Sequence, residues 1–260
     1  MPQTRAARPH LATKVPEVTV LFWVVKVLTT GMGEAASDWL GELDLVLAGA
    51  VGVLGLAGAL WLQFRTRRYV PVVYWAAVAM VAVFGTMAAD AVHVGLGLPY
   101  AASTAFYGVV LAVVFLLWRR SEGTLSIHSI TTRRREVWYW LTVLCTFALG
   151  TAAGDWTADG LHLGYLRSVV LFAVLIAVPA AGWARFGLNP VVAFWSAYVV
   201  TRPLGASIAD WLGKPGGEGF GDGVVTGVAL VLFVALVGWV AATRHGVQRE
   251  VATAAEPLAG

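Results

Sequence analysis

Charge is scarce in this chain: Asp, Glu, Lys and Arg make up 13% of its 260 residues, while 58% are hydrophobic. Soluble globular domains carry roughly a quarter charged residues, so an ordinary water-soluble fold is excluded. Cysteine is almost missing. The single Cys145 lies in an apolar run, which rules out a disulfide framework and a thiolate metal site and leaves it to pack as a small hydrophobe. There is no phosphate-cradling Gly-rich loop with a Lys, no HExxH and no serine nucleophile elbow. The GxG at Gly31 and Gly33 sits inside an apolar segment with no helix start after it, so it is no nucleotide fingerprint. No loop is long enough to hold a soluble catalytic domain, and the chain is read as a non-enzyme with no covalent cofactor. A cleavable leader is not expected either, because residues 1–16 are polar and basic and the apolar run after them is a full span.

Apolar sequence and tryptophan are abundant, with a mean hydropathy of +0.74 and 12 Trp. An all-α, polytopic membrane protein follows, whose first partner is the lipid bilayer. Crossing a hydrocarbon core takes roughly 20 helical residues. Eight apolar runs meet that length, at about 17–40, 43–63, 70–94, 99–118, 136–160, 164–184, 190–212 and 223–242.

The skeleton Trp, nine residues, Gly, four residues, Asp occurs at Trp23, Gly33 and Asp38, and it returns three times. The further copies are Trp75, Gly85 and Asp90; Trp140, Gly150 and Asp155; and Trp195, Gly205 and Asp210. Four gap-free copies spaced 52 to 65 residues apart are an internal repeat. Each repeat is one motif-bearing odd helix and one nearly charge-free even helix. It crosses twice, so the four copies run parallel about an axis along the membrane normal.

Positive charge sets the orientation. Arg5, Arg8, Lys14, Arg65, Arg67, Arg68, Arg119, Arg120, Arg133, Arg134, Arg135, Arg185, Arg244 and Arg249 fall at the termini and in alternate loops, and the opposite loops hold only Arg167 and Lys214. By the positive-inside rule both termini are cytoplasmic. The net charge of +3 therefore belongs to these loops and implies no nucleic-acid partner. The chain divides into a cytoplasmic segment 1–16, a membrane half 17–118 with repeats one and two, a cytoplasmic loop 119–135, a second half 136–242 with repeats three and four, and a disordered tail 243–260. Trp61, Trp118, Trp183 and Trp239 are placed as an interfacial belt at one membrane face and Trp39, Trp156 and Trp211 at the other. The motif Trp residues are assigned to packing or anchoring. The motif glycines are assigned to close helix approach, as is the stripe Gly49, Gly52, Gly55 and Gly58.

Candidate chemistry lies in the motif. Asp38, Asp90, Asp155 and Asp210 share one depth in the outer part of the membrane, so repeats around a common axis bring four carboxylates together. Glu34 adds a fifth acid about 6 Å deeper, by the helix rise of 1.5 Å per residue. Its equivalents are Thr86, Thr151 and Ala206; Thr29, Thr146 and Thr201 match at a second level, and Thr30 and Thr201 complete the polar lining. Lys26 and Arg202 oppose the acids, either as structural partners of Glu34 and an Asp or as coupling groups. An ion at the centre of a membrane costs about 2.5 to 3.5 kcal/mol on insertion scales. Five acids against two bases therefore call for protons, a bound cation or water. A metal site on the four Asp residues, with His93 and His162 each three residues after an Asp, is a weaker option.

The repeated Trp, Gly and Asp pattern, the first copy FWVVKVLTTGMGEAASD and the loop HSITTRRREVWYW resemble a family of bacterial integral membrane proteins catalogued as a repeat of unknown function. The resemblance implies eight helices in four repeats in the cytoplasmic membrane and adds no substrate. The expectation from the charges is a transporter or permeation pathway for a small cation, such as a divalent metal ion, with proton coupling. Oxygen ligands without sulfur favour hard cations. The rival is a non-transporting scaffold, sensor or subunit whose repeated Asp residues hold the bundle together. An intramembrane enzyme acting on lipid is a third option, with no nucleophile and base pair to carry it. Oligomeric state stays open.

Overall fold

The computed structural model describes residues 13–243 and 246. The expected tail beyond Thr243, apart from Gly246, and the first twelve residues of the amino-terminal segment lie outside the described residues. Among these residues there are eight α-helices: α1 (Val20–Leu43), α2 (Leu45–Arg65), α3 (Pro71–Leu96), α4 (Tyr100–Glu122), α5 (Arg133–Asp155), α6 (Tyr165–Phe186), α7 (Pro190–Gly213) and α8 (Asp222–Thr243). All eight expected spans are present. Seven are long and apolar enough to cross a membrane; α1 falls outside that set because Lys26, Glu34, Asp38 and Glu42 lie along it.

The ends are written locally. Asp44 caps α2 by accepting from the backbone N–H groups of Val46 and Leu47, both at 2.8 Å. Thr19, Thr132 and Asn189 cap α1, α5 and α7 in the same way. Pro71 and Pro190 open α3 and α7, where a missing N–H costs nothing. Gly123 and Gly187 close α4 and α6 at φ of 71° and 65°, a left-handed conformation that disfavours other residues. The helices take up both ends of the 119–135 segment. What is left between α4 and α5 folds back under the bundle, with Ile127 and Ile130 buried and the Leu125 carbonyl accepting from Trp195 Nε1 at 2.9 Å.

The odd helices form an inner ring in which α1 meets α3, α3 meets α5, α5 meets α7 and α7 meets α1. The even helices lie outside it. Each leans away from its own repeat and packs mainly on the next odd helix: α2 on α3, α4 on α5, α6 on α7, and α8 back on α1. For α3, α5 and α7, 61–67% of the spanning window is buried, against 11–28% for the even helices, which present the rest of their apolar surface to lipid. An even helix accordingly has one buried stripe. On α4 it is Ser103, Tyr107, Leu111, Val114 and Trp118.

That stripe corrects one expectation. Trp118 is wholly buried and stands edge-on to Trp195 at 5.7 Å. It belongs to the core and not to an interfacial belt, because its spacing from Val114 puts it on the inward face of α4. Trp61, Trp183 and Trp239 remain exposed at about half their surface. Of the motif Trp residues, Trp75, Trp140 and Trp195 are buried in the main apolar core, and Trp23 packs against it.

The motif glycines carry the ring. A side chain on Gly33 would strike Ala82, one on Gly85 Phe147, one on Gly150 Arg202, and one on Gly205 Thr30. In every case the residue received stands three positions before the motif glycine of the next repeat, and the fourth repeat is received by the first. Four identical close approaches, closing on themselves, define a pseudo-four-fold bundle. Small residues permit such backbone proximity where no hydrophobic force draws helices together in lipid. The α2 stripe is used only in part. Gly52 and Gly55 are covered by Met87 and Met80, whereas Gly49 and Gly58 face open space.

One polar cluster below the ring was not foreseen. Lys14 Nζ donates to Glu136 Oε2 at 2.6 Å and Gln63 Nε2 donates to Glu136 Oε1 at 3.1 Å, all three side chains being buried. The Lys14 N–H donates to the Ile130 carbonyl and the Tyr69 N–H to the Thr13 carbonyl, so residues 13 and 14 are laced between the α2–α3 and α4–α5 connections.

The glycine seam makes a contrast testable by thermal unfolding in detergent. Gly85→Leu should lower stability by at least about 1–3 kcal/mol through overpacking against Phe147. Gly58→Ala, on an open lipid-facing surface, should be neutral or raise it by up to about 1 kcal/mol. Glu136→Ala should cost roughly 3–5 kcal/mol by stranding Lys14.

Candidate functional site

Side chains of the four odd helices meet inside the ring in levels set by the motif. At the Trp level, Trp75 packs on Tyr74 and Trp140 on Tyr139, and the two tyrosine hydroxyls meet at 2.5 Å. Seven residues before the motif glycines stand Lys26 and Tyr198. Lys26 Nζ lies 3.9 Å from the centre of the Phe147 ring and 4.2 Å from that of Tyr198. It has no hydrogen-bond partner and pairs with no acid among the described residues. The expectation that Lys26 partners Glu34 is thereby corrected: two aromatic faces take the place of the carboxylate.

Glu34 is paired with Arg202 instead. In the other repeats the Arg202 position holds Thr30, Ala82 and Phe147. Here the side chain crosses Gly150 and reaches the axis. Arg202 Nη2 donates to Glu34 Oε2 at 2.5 Å, to Thr151 Oγ1 at 2.7 Å and to Thr86 Oγ1, and Nη1 donates to the Thr30 carbonyl at 3.1 Å. Thr86 Oγ1 also donates to Glu34 Oε2 at 2.9 Å, and Thr151 Oγ1 does so at 3.3 Å. One guanidinium thus joins all four odd helices. Every member is buried, with Glu34 at 2% exposure and Arg202 at 0%. The fourth position at this level is Ala206, so the cage has a single carboxylate.

The threonines separate by direction. Thr86 and Thr151 face Glu34. The Thr30 hydroxyl turns back to the Val27 carbonyl at 2.6 Å, and those of Thr29, Thr146 and Thr201 to Val25, Val143 and Ala197 at 2.6 Å each. Three of these are spent on their own helices, the Thr30 hydroxyl also reaches the Thr201 carbonyl on α7 at 3.5 Å, and Thr30 enters the site through its carbonyl.

The Asp level follows. Lys214, which caps the end of α7, places Nζ 2.8 Å from both Asp38 Oδ2 and Asp210 Oδ1. Glu34, Asp38 and Asp210 each offer one oxygen within 4.8 Å of the others. Asp90 and Asp155 lie at the same level, half-buried and in no ion pair among the described residues; Asp90 is close enough to feel Glu34 and Asp38, and Asp155 to feel Glu34 and Asp210. The four aspartates do gather at one end of the axis, but two share a lysine. Burial opposes charge on Lys214, yet Asp210, Asp38 and Glu34 outweigh it and hold its ammonium far above the usual lysine range. Lys214 was not singled out from the sequence, although its position four residues after Asp210 was a signal for a helix-face pair.

The histidines lie apart from this cluster. His93 Nδ1 is 2.6 Å from the Leu98 carbonyl and its ring stacks on Tyr100 at 3.9 Å, which finishes the end of α3. Beyond α5 a π-helical turn covers Trp156–Gly160 and ends there. His162 follows at a φ of +56°, so it does not share a helix face with Asp159, three residues before it.

The ring of four parallel helix pairs and its charged axis define a polytopic α-helical membrane protein built from internal repeats. The family model described as Repeat of Unknown Function (DUF347) matches residues 21–69, 73–124, 138–188 and 193–245, each match taking in one odd helix and the even helix after it, and the chain belongs to that family. No curated protein and no solved structure matches it.

The raised Lys214 yields a pH prediction. A folded-state value above the unfolded one means that its stabilisation is complete below the ordinary value of 10.5 and is lost only as pH rises through the higher folded value. The gap in melting temperature between the wild type and Lys214→Met should therefore stay constant from pH 7 to 10. A gap near zero at every pH from 7 to 10 would show an ordinary, solvated lysine whose value is the same folded and unfolded.

Proposed function

We propose that this protein transports a small cation across the bacterial cytoplasmic membrane through the acidic axis of its four repeats, with both termini on the cytoplasmic side. The observation that carries the reading is Glu34: a buried carboxylate on the axis, satisfied by a cation from another repeat, directly beneath four gathered aspartates. Carboxylates at membrane depth mark ion pathways because their desolvation cost is tolerated only for a purpose. Asp38, Asp90, Asp155 and Asp210 collect the ion at the outer mouth, Glu34 binds it or exchanges a proton, and Arg202 fills the place when it is empty. Lys26 and the aromatic layer close the other end in this state. A pathway blocked by its own cations has to switch state, so it works as a carrier and not as an open channel.

A second reading is favoured by one observation. Lys214 already bridges Asp38 and Asp210, as it would in a scaffold, sensor or subunit whose acids only bind the repeats together. Flux into proteoliposomes loaded with cation-sensitive dyes separates the two. Carrier function predicts cation uptake by the wild type and at least a tenfold loss in a folded Glu34→Gln variant. No uptake of any cation by folded wild type would leave the scaffold.

A further inference from the structure

We propose that Lys26 Nζ is a proton-exchange site inside the ring, and that buried tyrosines carry its proton toward the end opposite the aspartates. The site stands on its own geometry; its use in cation exchange rests on the transport reading. Lys14, Lys26 and Lys214 are the three lysines of the chain. Lys14 rests on Glu136 and Lys214 on Asp38 and Asp210, and a carboxylate at that distance holds an ammonium proton in place. Lys26 is 1% exposed, has no hydrogen-bond partner and stands over the Phe147 and Tyr198 rings at 3.9 and 4.2 Å. Ring faces attract an ammonium, but burial away from any acceptor sets a desolvation cost against that attraction, so nothing locks the proton on. No acid or carbonyl stands with the nitrogen to hold a metal ion, and the ligand its surroundings fit is a proton. The matching positions in the other repeats are Val78, Val143 and Tyr198, so packing at this level does not call for an amine.

The route is the independent observation. Tyr198 Oη is buried without a hydrogen-bond partner, and Tyr198 and Tyr139 are close enough for each hydroxyl to feel the other. The Tyr139 and Tyr74 hydroxyls meet at 2.5 Å. The Tyr74 ring stands edge-on to Tyr69 at 5.5 Å, and Tyr69 Oη is again buried and unpartnered. Tyr69 borders a small cavity shared with Glu17 and Gly246, and Glu17 is exposed. Phe22 and Phe194 hold the places of Tyr74 and Tyr139 in the other two repeats, so ring packing needs no hydroxyl there, and the two hydroxyls present are the two that touch. A phenol both donates and accepts. Each takes the arriving proton on a lone pair and passes on its own, the Lys26 nitrogen keeps its electron pair, and every tyrosine ends neutral. Few other charged groups face Lys26. Arg202 on α7 approaches the same Phe147 ring at 5.1 Å and does not release a proton, Glu34 on α1 is engaged by Arg202, α3 and α5 bring the tyrosines, and α8 has no ionisable group from Gly223 to Thr243. With its proton, Lys26 is a second cation beside Arg202 and bars a cation coming from the aspartates; without it, that bar is lifted. Proton and cation then occupy the ring in turn, which is exchange.

The test is nuclear magnetic resonance of the full chain in micelles, labelled with nitrogen-15 at lysine Nζ, which gives one signal for each of the three lysines. The signal lost in Lys26→Met should pass between its ammonium and amine positions from about pH 5 to about pH 9, a range in which an ordinary lysine stays charged, while those of Lys14 and Lys214 keep the ammonium position. Should Lys26→Met fail to fold, Lys14→Arg and Lys214→Arg assign the remaining signal. A Lys26 signal that keeps one position throughout overturns the proposal. Tyr139→Phe should leave both end positions and slow the exchange between them at least tenfold; an unchanged rate overturns the tyrosine route. In proteoliposomes holding a pH-sensitive dye, cation uptake by the wild type should drive protons out, and folded Lys26→Arg, whose guanidinium keeps its proton, should move none. A titrating Lys26 in vesicles that pass no cation would keep the site and remove transport. Cation uptake with a fixed Lys26 signal would keep transport and remove the site.

Discussion

The inner ring depends on one buried ion pair. Taking Glu34 and Arg202 out of water costs several kcal/mol per ion, and their attraction repays that only when the remaining donors and acceptors are met. The four repeats meet it between them. Glu34 comes from the first repeat, Thr86 from the second, Thr151 from the third and Arg202 from the fourth, so no single repeat and no single helix pair can satisfy the charge. Closure of the ring and neutralisation of its axis are the same event. The glycine seam makes that possible, since Arg202 reaches the axis by crossing Gly150 where any side chain would stop it.

Symmetry builds the bundle, and departures from symmetry give it chemistry. The motif glycines are four-fold, and so are the contacts they receive. The residues that occupy those contacts are Ala82, Phe147, Arg202 and Thr30, and they differ in every property but the ability to fit. The level above is Glu34, Thr86, Thr151 and Ala206. A four-fold acid ring at that depth would repel itself, and a four-fold ring of threonines would hold nothing charged. One acid, two hydroxyls and one gap make a site with a direction. The Asp level keeps all four acids because it lies at the end of the axis, where Lys214 and solvent share the load.

Much of this was legible in the sequence, for a physical reason. In lipid, helices are marked by apolar length and the repeat by its invariant spacing, so eight spans, four copies and the gathering of Asp38, Asp90, Asp155 and Asp210 follow from counting. The glycines read as contact points because nothing else in a membrane helix explains a Gly at the same place four times. What counting could not supply was azimuth. Arg202 was offered as a partner of Glu34 or of an Asp, or as a coupling group, and its length carries it across to Glu34 on α1. Lys26 was given an acid and has two rings instead, since its partners come from α5 and α7. Trp118 was placed by its nearness to a helix end and belongs to the core by its stripe on α4. His162 was weighed as a ligand by its spacing from an Asp, and the helical turn before it ends two residues earlier. The cluster of Lys14, Gln63 and Glu136 joins residues up to 122 positions apart, and a single sequence holds no sign of that pairing.

The central claim is that Glu34 and Arg202 act as a unit on which the ring closes. A double-mutant cycle measures it: unfolding free energies in mixed micelles for the wild type, Glu34→Gln, Arg202→Gln and the double variant. A buried charge pair of this kind predicts a coupling of roughly 2–3 kcal/mol, with the double variant more stable than the sum of the single losses allows. A coupling near zero would contradict the claim, because the two residues would then be held independently and the ring would close without their pairing.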